Sequence, residues 1–325
     1  MNNLIKIENN PNIFYMTAGL VNDEYTYWHT ADGNVYDLIC EIQKIDIDSG
    51  IREWFNHTKT EMLTTNPYWP RGFAMIVATL FIKDGNFFLN EFMDYFQQFG
   101  SVAFYGADFH KWIANVPNIL SYMENKFAGT TAWKKWHSMI DDAAGEWKPV
   151  MDEAERILAD FYKGSTAPNV AFTPNLLTDL YDVNYIRMDN KVDVITYWPD
   201  TEIMMRGALH AEISKHSNKI ATFVERYGLR DFADISKYSE YGYRHDHSNE
   251  SCVRIISECF VRGISAVLSG GGIRRLAVLA NYGFGSAPFI GQCFMEMRPK
   301  AKQLDGFIDR VLCGFAADDR DYIYR

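Results

Sequence analysis

SNESCVRIISECFVRGISAVL, residues 248–268, reads as one long amphipathic helix and sets the fold class of the chain. Val253, Ile256, Phe260, Ile264 and Val267 recur at three- and four-residue spacing and form a single apolar stripe. Glu250, Arg254, Glu258 and Arg262 stand four apart on another face and alternate in sign. Successive i,i+4 pairs of this kind usually make a solvated, mildly stabilising face, so Glu258 and Arg262 are expected at the surface.

The same period recurs on the N-terminal side. Val35, Leu38, Ile39, Ile42 and Ile45 form one stripe, and Ile51, Trp54, Phe55 and Met62 form a second. GFAMIVATLFI, residues 72–82, is apolar on every side and predicts a central buried helix, ended by Asp84-Gly85 and followed by a helix that Asn86 caps. Another helical stretch, from Ala107 to Phe127, is interrupted at Pro117. A long helix starts near Thr131 and carries Trp133, Trp136, Ile140 and Trp147; Pro149 is expected to kink or divide it before Lys163-Gly164. Residues 1–33 lack helical periodicity and read as extended segments and turns.

Between residues 165 and 200 the pattern changes. Pro168, Pro174 and Pro199 bracket Val192, Val194 and Ile195, which suit a short strand, with Asp189-Asn190 as a turn. Helices resume at Glu202 and run past His216 to Tyr227, before the C-cap Gly228. The chain is therefore expected to be a mainly α, multi-helical globular protein with a short extended insert. Residues 34–164 and 202–315 should be mostly helix. An N-terminal helical region, 1–164, and a C-terminal helical region, 165–325, form either two parts or a single domain, and the candidate site lies in the second.

With 325 residues, 47% of them hydrophobic, the chain can bury a substantial core. The net charge of -10 argues against a general affinity for nucleic-acid backbone, so DNA or a nucleotide would need a local basic groove. The five cysteines, Cys40, Cys252, Cys259, Cys293 and Cys313, are odd in number and without a C-x-x-C spacing, which suggests neither a disulfide framework nor a zinc knuckle. No run of 18 apolar residues occurs, and no charged leader precedes an apolar segment. A soluble cytoplasmic protein is expected, in the host cytoplasm if the chain is viral, with no membrane partner and no oligomer signature.

The densest chemistry lies just before the opening stretch. His245, Asp246, His247, Asn249 and Glu250 fall within six positions, flanked by Arg244 and Arg254. After the helix, Ser269-Gly270-Gly271-Gly272 leads into Ile273-Arg274-Arg275. Glycines before a helix N-terminus expose backbone N–H groups beside two arginines and would hold an anion; a plain helix–helix turn is the alternative, since neither the P-loop nor the dinucleotide fingerprint is met.

Three family resemblances follow from such residues. His216, His245, Asp246 and Asp305 occur in the order of the ligands of HD-type metal phosphohydrolases, which implies a divalent ion that activates water. The segment before His245, with Ser236, Lys237, Ser239 and Glu240, is polar where that family is apolar. Glu240 to Arg244, followed by Ser248 and Glu250, is similar to a strand of nicotinate and nicotinamide phosphoribosyltransferases, a barrel that the remaining chain is too short to complete. The third resemblance runs through Ala171-Phe172, Thr178-Asp179-Leu180, Asp193, Thr196-Tyr197-Trp198-Pro199, Arg206-Gly207-Ala208-Leu209 and Lys237-Tyr238. In that order it resembles the helical domain of hydroxymethyluracil DNA kinases, a domain type shared with thymine pyrophosphorylases and amino acid:DNA transferases of phage DNA hypermodification. Asp200-Thr201-Glu202-Ile203 stands where that family has Gly-Pro-Gly.

This last resemblance implies group transfer onto a modified pyrimidine in DNA, without kinase activity because no P-loop is present. Such chemistry needs an anion site, an aromatic wall for the base, and a general base. Arg206, Arg244, Arg274 and Arg275 are candidates for the first, Trp198 for the second, and Asp179, His210 and His245 for the third, with Asp246 beside His245. Asp193 and Glu250 are further substrate contacts. Against these, Trp198 before Pro199 suits a core plug and His210 a structural histidine. Arg206 and His210 share a helix face one turn apart and are placed with Arg244 and His245 in one site, apart from the glycine turn, because the intervening helix is about 30 Å long. A viral structural or interaction protein is the reading without catalysis.

Metal content separates the two enzyme readings. A phosphohydrolase of the HD kind should hold a divalent ion and lose turnover in His245→Ala or Asp246→Ala, whereas the transferase should tolerate chelation. Elemental analysis with Mn²⁺ add-back decides: no metal and no Mn²⁺ response removes the phosphohydrolase.

Overall fold

Apolar stripes at helical spacing become docked helices along most of the chain, whose architecture is mainly α. The structure, a computed structural model, describes residues 4–22, 33–56, 73–97, 109–177, 183–188, 190–227, 249–281 and 284–316. Strand β1 (Ile5–Ile7) leads into helix α1 (Pro11–Asn22). This helix corrects the expectation of extended structure over residues 1–33. Every residue of α1 from Ile13 to Asn22 is buried, so no polar face exists to mark a helical period, and Pro11 fits the first turn because its missing N–H would be unpaired there.

Helices α2 (Gly33–Gln43), α3 (residues 49–56) and α4 (Phe73–Leu80) follow. A hairpin of β2 (Ile82–Lys83) and β3 (Asn86–Phe87) turns at Asp84 and Gly85, both at positive φ. Asn86 therefore pairs in the hairpin and does not cap α5 (Leu89–Gln97). The helical stretch is interrupted next to Pro117, as expected: α6 (Phe109–Ile113) ends just before it, and Pro117 sits in the first turn of α7 (Val116–Phe127).

Helix α8 (Thr131–Phe161) begins where Thr130 Oγ1 accepts a hydrogen bond from the Trp133 amide at 3.2 Å. It runs through Pro149 without division. Trp136, Ile140, Trp147, Met151, Ala154 and Leu158 are buried on both sides of the proline, so docking along the whole rod outweighs the one lost backbone bond.

Strands β4 (Asn169–Pro174), β5 (Val183–Met188) and β6 (Lys191–Thr196) are followed by α9 (Thr201–Ser214) and α10 (Ser217–Tyr227), which separate at Lys215-His216. Helices α11 (Asn249–Leu268), α12 (Gly272–Asn281), α13 (Ala287–Met297) and α14 (Leu304–Ala316) complete the described chain.

The extended insert is more ordered than a single short strand. It joins β1 in a sheet of order β1-β4-β6-β5, in which β4 is parallel to β1 and β6, and β5 is antiparallel to β6. Among the described residues the sheet is open at β1 and β5, unlike the barrel implied by the phosphoribosyltransferase resemblance. Side chains alternate across the pleat, so Tyr185, Val192 and Val194 share one face. Helix α9 lies on that face, between the sheet and α11. Gly207 permits this approach: a Cβ there would stand 2.7 Å from Val194 Cγ2. No helix among the described residues is long and apolar enough to cross a membrane.

Helix α11 crosses α13 equally closely. A Cβ at Gly263 would lie 2.7 Å from the Ala287 carbonyl oxygen and 3.2 Å from the Gly291 nitrogen, both backbone atoms that cannot rotate away. Gly263→Ala should therefore lower stability by about 1–3 kcal/mol in spite of alanine's better helix propensity. Urea denaturation measures it, and an unchanged midpoint would contradict the close crossing.

Candidate functional site

The polar residues of α9 are aimed by its start. Asp200 Oδ1 accepts from the amides of Glu202 and Ile203 at 2.8 and 3.1 Å, which caps the helix and sets its phase. Glu202, Arg206 and His210 then recur every four residues along one face. Helix α11 runs past in the opposite direction and offers Glu258 and Arg262, while α12 returns Arg275 after a turn at Gly270 and Gly272, both at positive φ.

The contacts join these side chains into a seam. Glu202 Oε1 accepts from Arg206 Nη2 at 2.7 Å and Nε at 3.2 Å, and its Oε2 accepts from Arg275 Nε at 2.8 Å. Glu258 Oε1 accepts from Arg262 Nε at 2.6 Å. His210 Nε2 stands 3.5 Å from Glu258 Oε2, too far for a well-formed bond. The Tyr185 ring from β5 lies 4.6 Å from the imidazole, and the Arg262 guanidinium covers the Phe284 ring at 3.8 Å.

Burial decides the electrostatics. Glu202, Arg206 and Glu258 are only 7%, 8% and 7% exposed. Desolvation pushes the Glu202 pKa up, but the Arg206 and Arg275 guanidiniums win and hold its carboxyl below the ordinary range. Glu258 behaves likewise: burial opposes ionisation, and Arg262 with smaller help from His210 and Arg206 overcomes it. For His210 the balance goes the other way. Burial, with Arg262 and Arg206, lowers the imidazole pKa against the pull of Glu258, so the ring is neutral at pH 7. Its edge is 29% exposed, yet Nε2 itself is shielded and has no hydrogen-bond partner. The Tyr185 hydroxyl is also buried without a partner, its pKa pushed up to about 12 by burial. A neutral imidazole with an unused Nε2, beside a phenol and the Arg206 and Arg262 guanidiniums, is suited to take a proton from a hydroxyl or amine that reaches it.

The structure brings together His210, Arg206 and Arg275 of the expected residues. The glycine turn and Arg206, expected apart, meet in one seam because α11 is antiparallel to α9 and its end returns to the start of α9. Arg274, the neighbour of Arg275, is exposed. Trp198 is 49% exposed in the connection before α9, so it is no core plug. Asp193 lies on the opposite face of the sheet. Asp179, Arg244, His245 and Asp246 lie outside the described residues, as does the Glu250 side chain.

Of the expected metal set, His216 Nδ1 is 3.2 Å from Asp305 Oδ1. Lys219 Nζ stands 2.7 Å from Asp305 and 2.9 Å from Asp309, and an ammonium among those carboxylates opposes a divalent ion. Among the described residues no group of three His, Cys, Asp or Glu side chains is arranged to hold a metal ion.

Tyr185, Glu202, Glu258 and Arg262 were not foreseen as site residues. Glu258 was expected on a solvated face and is buried, because α9 covers it. The signal in the sequence was the pairing of acid and arginine four apart on two helices, Glu202 with Arg206 and Glu258 with Arg262; either pair alone reads as surface.

The lowered His210 pKa makes the unfolded chain the better proton acceptor at this residue. Stability should fall as pH drops below the ordinary histidine range of about 6.5, because only the unfolded imidazole protonates freely there. Melting temperature measured from pH 7 to 5 should decline less in His210→Gln than in the natural protein. Parallel curves would show that the imidazole is not held neutral.

Comparison with protein-family models, curated proteins and solved structures found no match to this chain, so the chemistry of the seam rests on its own geometry.

Proposed function

We propose that the chain is an enzyme acting on a phosphorylated nucleotide or nucleobase, by group transfer onto a modified pyrimidine in DNA, with the seam between α9 and α11 as its centre. The observation that carries this reading is the unpartnered Nε2 of a neutral His210 beside Arg206 and Arg262, with Arg275 two turns along α9 on Glu202. Arg206 and Arg275 bring two guanidiniums to the one carboxylate of Glu202, which suits a phosphate entering from the Arg275 end.

In the transfer, the incoming hydroxyl or amine attacks the carbon that carries a phosphate or pyrophosphate on the base. The new bond forms as the carbon–oxygen bond breaks, the electron pair leaves with the phosphate, and the proton passes to His210 Nε2. The guanidiniums stabilise the charge that develops on the leaving group. Trp198, exposed just before α9, offers a stacking surface for a base out of its duplex. Asp179, Arg244, His245, Asp246, Glu250 and Arg274 remain proposed partners in this chemistry; Asp193, on the other face of the sheet, is not among them.

The test is titration of a single-stranded oligonucleotide containing 5-phosphomethyl-deoxyuridine, against the same strand without the phosphate. Arg275→Ala, which leaves Glu202 paired with Arg206, should weaken binding of the phosphorylated strand about tenfold, the worth of a charged hydrogen bond. His210→Gln should keep binding and lose transfer. If the natural protein binds both strands alike and Arg275→Ala changes nothing, the chain is an interaction protein and the reading fails.

A further inference from the structure

The face of the sheet turned away from α9 carries polar groups that the seam does not use. The register places Thr173 of β4, Ile195 of β6 and Asn184 of β5 side by side, and Asp193 two residues before Ile195 on the same face. Thr173, Asn184 and Asp193 are 1%, 6% and 1% exposed. Among the described residues, Thr173 Oγ1, Asn184 Nδ2 and Asp193 Oδ2 have no hydrogen-bond partner, and Asp193 Oδ1 has only the Lys191 ammonium, 2.9 Å away. Folded proteins pair nearly all such buried atoms, and here three strands bring three unpaired ones into one patch.

The charges beside the patch already cancel. Lys191 Nζ bridges Glu8 Oε2 at 2.6 Å and Asp193 Oδ1 at 2.9 Å, the latter as a charge partner only, and Lys6 Nζ stands 2.5 Å from Glu8 Oε1. Two ammoniums face two carboxylates, so a charged ligand would enter without a counterion. The unused capacity is for hydrogen bonds: a carboxylate accepts, an amide nitrogen donates, and a threonine hydroxyl does either. Diagonal neighbours on adjacent strands stand about 7–8 Å apart, a span that a small ring can bridge. Ile195 lies between the polar groups as an apolar floor, and Ala171, paired with Asp193, presents the smallest side chain beside it.

We propose that this face binds a small neutral molecule with adjoining N–H and C=O groups, the amide or imide edge of a ring, with its N–H toward Asp193 and its C=O toward Asn184. The sheet separates this site from His210, so it is a second ligand site and does not rest on the transferase reading.

Uracil, which carries such an edge and no phosphate, is the probe, and calorimetric or ligand-observed NMR titration of the full chain is the measurement. Uracil should bind the natural protein, and Asp193→Asn and Asn184→Asp should each weaken it about tenfold or more. Thr173→Val, which keeps the side-chain shape if the other two variants fold poorly, should weaken it severalfold; Arg275→Ala and His210→Gln should leave it unchanged. The proposal is overturned if uracil does not bind, if Asp193→Asn and Thr173→Val bind it as the natural protein does, if Arg275→Ala loses it, or if methylammonium displaces it.

Discussion

Burying two carboxylates between α9 and α11 is the constraint on which the C-terminal half of the structure depends. A buried carboxylate left without its cation destabilises a fold by about 3–5 kcal/mol, so Glu202 and Glu258 can lie under α11 and α9 only if guanidiniums meet them there. Arg206 and Arg262 do so from one turn along their own helices, and Arg275 does so from a third helix. The last contact requires the chain to reverse after α11, and the glycines at positive φ in the Gly270 to Gly272 turn make that reversal possible. Helix phase, antiparallel packing and the turn are thus tied to one pair of charges.

The same desolvation prepares the chemistry. A medium dry enough to demand full pairing of Glu202 also discourages a proton on His210, which is why the imidazole stays neutral although a carboxylate stands 3.5 Å away. Neutrality and a shielded, unused Nε2 are what distinguish a base from a structural histidine bonded at both nitrogens. Across the sheet the balance differs: burial raises the Asp193 pKa against the pull of Lys191, in a patch whose polar atoms remain unpaired. One sheet therefore separates a charged face from a neutral one.

Amphipathic elements were legible because polar residues interrupt their apolar stripes at a regular spacing. The stripe of Val253, Ile256, Phe260 and Ile264 in α11 and that of Val35, Leu38, Ile39 and Ile42 in α2 lie where a helical wheel puts them. Helix α1 was not legible, since ten successive buried residues carry no period. Of the two outcomes expected at Pro149, division does not occur, because the buried stripe holds both halves of α8. Arg206 and His210 could be assigned to one face from their spacing, whereas the Glu258 that faces His210 and the Arg275 that shares Glu202 with Arg206 lie some 50 residues or more away in sequence and could not.

By itself, the sequence determined the helical class, the resumption of helix near Glu202, and the grouping of Arg206 with His210, all of which follow from side chains within a turn or two of one another. Only the tertiary structure decided that Glu258 is buried, that Arg275 meets Glu202, that Asp193 faces away from His210, and that β1 shares a sheet with β4. Local spacing determines which residues share a face of an element. Which face is dried, and against what, depends on packing between elements distant in the chain, and it is desolvation that turns an ordinary ion pair and an ordinary histidine into a candidate site.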